Sequence, residues 1–316
     1  MTEPLKPTVS KRTFSERFVR EIRKNWGLYL LVSIPLLYLI LFKYLTMYGV
    51  QIAFRNYSPA RSIANSPWVG LKYFQKFMEN YQFKRILGNT IAISLYSLLT
   101  FPLPILLAVL LNYVTRPRFK KTVQMISYMP HFISTVVMVG IILQFLDVRS
   151  GMLNMLLTAL GREPVNFMAK PAYFRTIYIL SGVWQSLGYN SIIYIAALSG
   201  VSPELHEAAI VDGANVLKRI WHVDLPGILP TISILLIMQC GSILSVGYEK
   251  IYLMQNSLNL SVSEIISTYV YKQGIAASMP QYSYATAIGL FVSVVNVIML
   301  LIVNAASNRL SGNSLF

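Results

Sequence analysis

The chain reads as an all-α membrane protein with six transmembrane helices, and three observations predict it. Of its 316 residues 55% are hydrophobic and only 12% charged, with a mean hydropathy of +0.54, whereas soluble domains carry about 25% charged residues. The apolar residues gather into runs of about 20, the length at which a helix crosses a ~30 Å hydrocarbon core. The segments between those runs carry Pro, Gly and charge. Within a bilayer a helix satisfies its own backbone polar groups, so apolar runs of this length read as helices.

Residues 1–25 form a basic N-terminal segment with Lys6, Lys11, Arg12, Arg17, Arg20, Arg23 and Lys24. Its part 14–24 reads as a short amphipathic helix on the inner membrane surface. The apolar run after it is too long for a signal-peptide core and no small-residue cleavage site follows, so it is an uncleaved first span, 26–48. A polar loop, 49–85, contains RNYSP and WVGLKYF. The second span, 86–111, holds Pro102 and Pro104 and is expected to kink. A short basic loop with Arg116, Arg118, Lys120 and Lys121 leads to a third span, 123–146. After a loop over 147–174 comes the fourth span, 176–198, with Trp184, Gln185, Tyr189, Asn190 and Tyr194 inside it. The fifth span, 228–246, carries Gln239 and Cys240; a loop over 247–283 follows, with Glu249 and Lys250 at the outer end of that span as interface markers. The sixth span, 284–304, carries Asn296, and residues 305–316 are a polar tail.

Six spans place both termini on one side. Lys and Arg total 14 in the segments assigned inside and 11 in those assigned outside. Orientation therefore rests on the N-terminal cluster and the short 112–122 loop, where the positive-inside rule is strongest. Both termini are expected in the cytoplasm. The net charge of +15 is that of span-flanking cations, and with no accompanying motif it predicts no nucleic-acid partner. The lone Cys240 excludes an intrachain disulfide and reads as a small apolar filler.

Between the fourth and fifth spans lies EAAIVDGANVLKRIWHVDLPGILP, residues 207–230, within a loop over 202–230. Ser202 and Pro203 start a short helix as N-cap and first helical residue. Glu204 suits the positive end of its dipole. Gly213 ends it in a left-handed cap. A second short helix is expected over 214–222, stopped by Leu225-Pro226. Small residues at Ala208, Ala209, Gly213 and Ala214 would let another surface approach the backbone closely, so the segment reads as a docking knuckle.

The pattern of Glu207, Ala208, Ala209, then Asp212, Gly213, Ala214, then Leu225 and Pro226, resembles the cytoplasmic coupling motif of ABC-importer permeases. Across most of the chain, FRNYSP, WVGLKYF, PVNFM, YFRTIYILSGVWQSLGYNSIIYIAAL, GYEKIYLMQN and IISTYVY resemble the maltose-type carbohydrate permeases, especially those serving alginate and pectin oligosaccharides. The resemblance implies a type I importer fold whose coupling helix seats on an ATPase. It implies a second permease subunit, two ATPase subunits that bind ATP and Mg, and an extracytoplasmic solute-binding protein, all at a bacterial cell membrane with its lipid around the spans. This chain itself is expected to bind no cofactor or metal and to be no enzyme.

The chemistry of the residues agrees with that division of labour. There is no GxxxxGK[ST] phosphate loop. His206-Glu207 lacks the second His of HExxH, since position 210 is Ile. The resemblance makes Glu207 the leading coupling residue: a charge-assisted hydrogen bond there would contribute about 1.5–3 kcal/mol, against a few tenths for a solvated helix charge. Trp184, Gln185, Tyr189, Asn190, Tyr194, Gln239 and Asn296 are candidates for a sugar path, because aromatic faces and amides recognise carbohydrate and polar groups at membrane depth face cavities. Inter-helix hydrogen bonding explains the same residues as well. The alternative cargo is another small solute, such as a polyamine or phosphate. A stand-alone secondary transporter or channel would leave the 207–230 pattern unexplained, and a membrane enzyme lacks a reactive constellation.

Overall fold

A computed structural model of the chain describes residues 21–312, 314 and 315. The expected amphipathic helix over 14–24 lies outside the described residues except for its last four, which are helical. Among the described residues there is no strand; one isolated antiparallel bridge joins Arg55 to Trp68.

The first span is α1 (Trp26–Leu39), a π turn (Ile40–Tyr44) and a 3-10 segment (Leu45–Phe54), one stretch of 29 residues. α1 buries none of its side chains, and the stretch is anchored where residues 45–54 pack on the last helix. The loop after it folds back on that anchor. Trp68 stacks on Phe54 at 5.5 Å, and the Arg55 guanidinium lies 5.6 Å over the Trp68 ring. α2 (Lys72–Met78) follows.

α3 (Phe83–Leu99) and α4 (Pro102–Asn112) form the second span, interrupted at Thr100 and Phe101 just before Pro102, which sits in the first turn of α4 where its missing N–H costs nothing. The third span departs from expectation. α5 (Pro117–Tyr128) runs into a 3-10 turn (Met129–Phe132), and α6 (Thr135–Phe145) leaves at 101° to it. Pro130 opens the tight turn, Ile133 is extended, and the Ser134 hydroxyl caps α6 by accepting from the Val137 N–H. α7 (Met152–Ala159) lies in the next connection. There the backbone N–H groups of Ser150 and Arg149 and the Ser150 hydroxyl donate to Asp147 and hold its carboxyl below the usual carboxylate range.

α8 (Pro171–Leu198) spans 28 residues and is the hub, packing on α3, α4 and α5 and on the later helices Leu225–Gly241 and Leu260–Ser263. Gly188 allows α5 to approach, because a Cβ there would run into the Ser127 carbonyl. α9 (Pro203–Val211) and α10 (Val216–Arg219) follow. The expected stop at Leu225-Pro226 does not occur. α10 passes through a π turn (Ile220–Asp224) directly into α11 (Leu225–Gly241), giving one 26-residue stretch, Val216–Gly241. The π turn lies where the ring of Pro226 would otherwise clash with the carbonyl four residues back, so the helix widens instead of ending. That span also ends at Gly241 rather than at 246.

Residues 247–283 are not a simple loop. They fold into α12 (Tyr248–Met254), α13 (Leu260–Ser263), α14 (Ile266–Tyr271) and a π turn (Lys272–Ala276), packed on α3, α6 and α8. α15 (Tyr282–Ser311) closes the bundle against α11. Four stretches are long and apolar enough to cross a membrane, and five if the bent α5–α6 pair is one span.

Buried apolar residues form three clusters. One joins α3, α6, α8 and α12 around Phe174, Ile251 and Ile265. A second joins α2, α3, α14 and α15 around Phe77, Tyr269 and Tyr284. The third, with Ile105, Ala108, Tyr194, Leu198 and Ile228, ties α4, α8 and α11 together beside α9 and α10.

Candidate functional site

Two places stand out: the knuckle of α9 and α10, and a cavity along α8. In the knuckle the local sequence dictates the geometry. Ser202 caps α9 by accepting from the Glu204 N–H at 3.3 Å, and Pro203 is the first helical residue. At the other end the Gly213 N–H donates to the Ile210 carbonyl at 3.0 Å and the Ala214 N–H to the Ala209 carbonyl at 2.8 Å. This is the Schellman pair, and Gly213 stands at φ +73. Asn215 then caps α10 by accepting from the Lys218 N–H. Two caps on either side of one left-handed glycine hold the short helices at a fixed angle.

The knuckle exposes more than small residues. Leu205, Ile210, Val211 and Leu217 all face outward, Val211 at 87% and Leu217 at 75% exposure. Glu207, Ala208, Asp212 and Gly213 are exposed with them, and Ala209 and Ala214 are half-buried. Among the described residues Glu207 makes no hydrogen bond or ion pair within the chain. The knuckle thus carries an exposed apolar patch with the Glu207 carboxylate beside it. Leu225 is half-buried and Pro226 exposed at the start of α11, so these two shape the span entry rather than the patch. Sequence reasoning picked out the small residues and missed the apolar ones, although Ile210, Val211 and Leu217 stand out in a polar connection.

The cavity, about 860 Å³, is walled by α8, by the α3–α4 interruption, by α11 and by α12. Thr100 and Phe101, at the break, are part of its wall. Of the expected path residues, Gln185, Tyr189, Asn190, Tyr194 and Gln239 line it. Gln185 Nε2 donates to the Ile133 carbonyl at the bend between α5 and α6. Tyr189 stacks on His131 at 3.7 Å, nearly parallel, and so ties the cavity wall to the same bend. Trp184 and Asn296 are placed elsewhere. Trp184 is exposed on the outer face of α8, and Asn296 braces the end of α11, accepting from the Leu244 N–H and donating to Ser245 Oγ.

Lys250, expected only to mark the interface, reaches the cavity. Its Nζ donates to the Tyr178 carbonyl at 3.3 Å and sits 5.1 Å over the Tyr178 ring. It is the one charged side chain among the lining residues, and no carboxylate accompanies it. Its sequence position after the fifth span gave no warning, because the packing of α12 against α6 and α14 is a tertiary event. Among the described residues no cluster of three or more potential metal ligands occurs.

A bundle with several membrane-length helices and a large cavity open along its central helix has the architecture of a solute-transport permease. The sequence matches, over residues 77–312, the family described as the binding-protein-dependent transport system inner membrane component, and the chain belongs to that family. It is 43% identical to Protein LplB of Bacillus subtilis over 93% of this chain and 92% of that protein. It is 38% identical to the polygalacturonan/rhamnogalacturonan transport system permease protein YteP of the same organism, over 98% and 96%. The fold matches a bacterial ABC transporter involved in the import of the acidic polysaccharide alginate, with TM-score 0.85, 38% identity, and coverage of 93% of this chain and 99% of that one. A crystal structure of the bacterial alginate transporter in complex with an alginate pentasaccharide-bound periplasmic protein matches equally well, at TM-score 0.85 and 37% identity, over 95% and 100%. The chain is thus a permease subunit of an ATP-driven importer.

Proposed function

We propose that this subunit passes an acidic oligosaccharide along the α8 cavity into the cytoplasm, and that the 202–230 knuckle is the coupling element through which partner ATPase subunits drive it. The observation that carries the cargo reading is the cavity: aromatic faces and amides from α8, one cation at Lys250, and no carboxylate in its lining. Uronate residues pair with such a wall, Tyr178 and Tyr189 meeting sugar C–H faces and Lys250 meeting a carboxylate. Relatives whose names specify polygalacturonan, rhamnogalacturonan and alginate support the same chemistry. A polyamine is the poorer fit, because nothing in the lining would neutralise it.

Six spans with both termini cytoplasmic complete this reading. α8, at 28 residues, is roughly 42 Å long and able to cross a ~30 Å core despite its polar face. With α8 and the bent α5–α6 pair counted as spans, the knuckle falls on the side of the basic 112–122 loop. A second permease subunit would close the open side of the cavity, a loaded extracytoplasmic binding protein would dock opposite the knuckle, and two ATPase subunits would bind ATP and Mg at the knuckle end. Bending at residues 129–134 would let α6 and α8 move relative to each other as the bundle alternates its access. The test is uptake into proteoliposomes holding the complete complex. Lys250→Gln is expected to lower uptake of a galacturonate oligomer about tenfold, the effect of one charge-assisted contact, and to spare a neutral oligomer of the same length. Equal loss for both oligomers, or for neither, would contradict the acidic-cargo reading.

A further inference from the structure

Beside the knuckle lies a buried polar cluster that the transport reading has not used. Asp224, at the end of the π turn, is 0% exposed. Its Oδ2 accepts from the Tyr113 hydroxyl at 2.6 Å, at the inner end of α4. Its Oδ1 stands 3.4 Å from His206 Nε2 on α9, close enough for charge pairing, yet no hydrogen bond reaches that oxygen. The guanidinium of Arg219, from the end of α10, covers the Tyr113 ring at 5.5 Å, and its buried Nε is also without a hydrogen bond. One carboxylate therefore touches the knuckle through His206, the second span through Tyr113 and the fifth span through its own backbone.

A buried carboxylate is costly unless both oxygens are served. Here one oxygen is held and the other faces an imidazole just out of hydrogen-bond geometry. Such a half-satisfied network changes strongly in energy over a small movement of its loose member. The loose member is on α9, the helix that carries Glu207. The firm members are on the two spans that wall the cavity.

We propose that Asp224 is a positioning residue that latches the knuckle to the second and fifth spans, and that the His206–Asp224 contact tightens and loosens as the knuckle moves. The latch converts displacement of α9 into displacement of α4 and α11. The inference rests on the knuckle being the coupling element. A charged side chain between Val223 and Leu225 at the head of an apolar span is the sequence signal that could have revealed it.

The experiment measures, in proteoliposomes with the complete complex and a galacturonate oligomer, the number of molecules imported per ATP hydrolysed. Asp224→Asn keeps an acceptor for Tyr113 and removes the charge; His206→Gln removes the imidazole from a partly exposed position. Each is expected to lower import per ATP about fivefold, the smaller end of typical coupling strengths, in a complex that still assembles. The double variant is expected to be no worse than the worse single one, because both break one contact. A purely structural role would instead lower assembly and leave the ratio of assembled complex unchanged. Should Asp224→Asn fail to assemble, His206→Gln decides alone. Gly213→Asp serves as the control for the underlying reading. If Gly213→Asp uncouples while the ratio is unchanged in the Asp224 and His206 variants, or their effects add, the latch is overturned and the coupling knuckle stands. If Gly213→Asp leaves import per ATP intact as well, the coupling reading itself is overturned.

Discussion

The two connections that flank the fifth span have opposite characters. Residues 202–215, before it, form a knuckle whose apolar side chains face outward and whose Glu207 has no partner among the described residues. Residues 248–276, after it, form a helical cap with a paired, buried polar core, while Leu258 and Ile275 are exposed on its surface. In the cap Asn259, fully buried, donates to the carbonyls of Met168 and Met254 and accepts from Ser263 Oγ. Glu264 is paired with Arg85 at 2.8 Å and Lys272 at 3.3 Å, and Ile251, Ile265 and Ile266 are buried beneath it. Where a polar connection closes on itself, its charges and amides build scaffold. Where it leaves apolar and charged groups unmet, it offers the surface proposed above for the ATPase.

Substitutions can break that contrast. The largest expected effect is in the cap. Asn259→Ala takes away the partner of the Met254 carbonyl and of the Asn256 N–H and opens a small void, a loss of about 2–3 kcal/mol. The detergent-solubilised chain should melt several degrees lower, whereas an unchanged melting temperature would mean the cap is not scaffold. Next comes the knuckle surface. Leu217→Ala is expected to leave melting unaltered and to weaken capture of the ATPase subunits about tenfold, the scale of an interface anchor. Loss of thermal stability without loss of capture would reverse the assignment. The smallest effect is at the hinge. Gly213→Ala meets open space around its new Cβ but must hold φ +73, a strain of about 1 kcal/mol. Uptake should fall about fivefold or less, with assembly retained.

Much of this was legible in the sequence. The caps at Ser202 and Gly213 follow from local backbone preferences, and the apolar runs from what a bilayer demands. Three things were not. The break between α5 and α6 depends on Pro130 acting together with an extended Ile133, and the apolar residues on both sides of it read as one span. The passage of the fifth span through Pro226 needs a π turn, which leaves no compositional trace. Lys250 and Asp224 gain their roles from neighbours more than 70 residues away in the chain, Tyr178 and Tyr113. Residues such as Trp184 and Asn296 match the chemistry of a sugar path by type, but the facing of a helix in a bundle is set by packing, and both point elsewhere.

The central claim, that the knuckle meets the ATPase and the cap does not, has one direct measurement. In a Cys240→Ser background, a single cysteine is placed at Leu217 on the knuckle or at Leu258 on the cap, both exposed, and each assembled complex is treated with a short thiol–amine cross-linker. The account predicts a covalent product with the ATPase subunit from Leu217→Cys and none from Leu258→Cys. A product from Leu258→Cys, or none from Leu217→Cys in a complex that hydrolyses ATP, would contradict it.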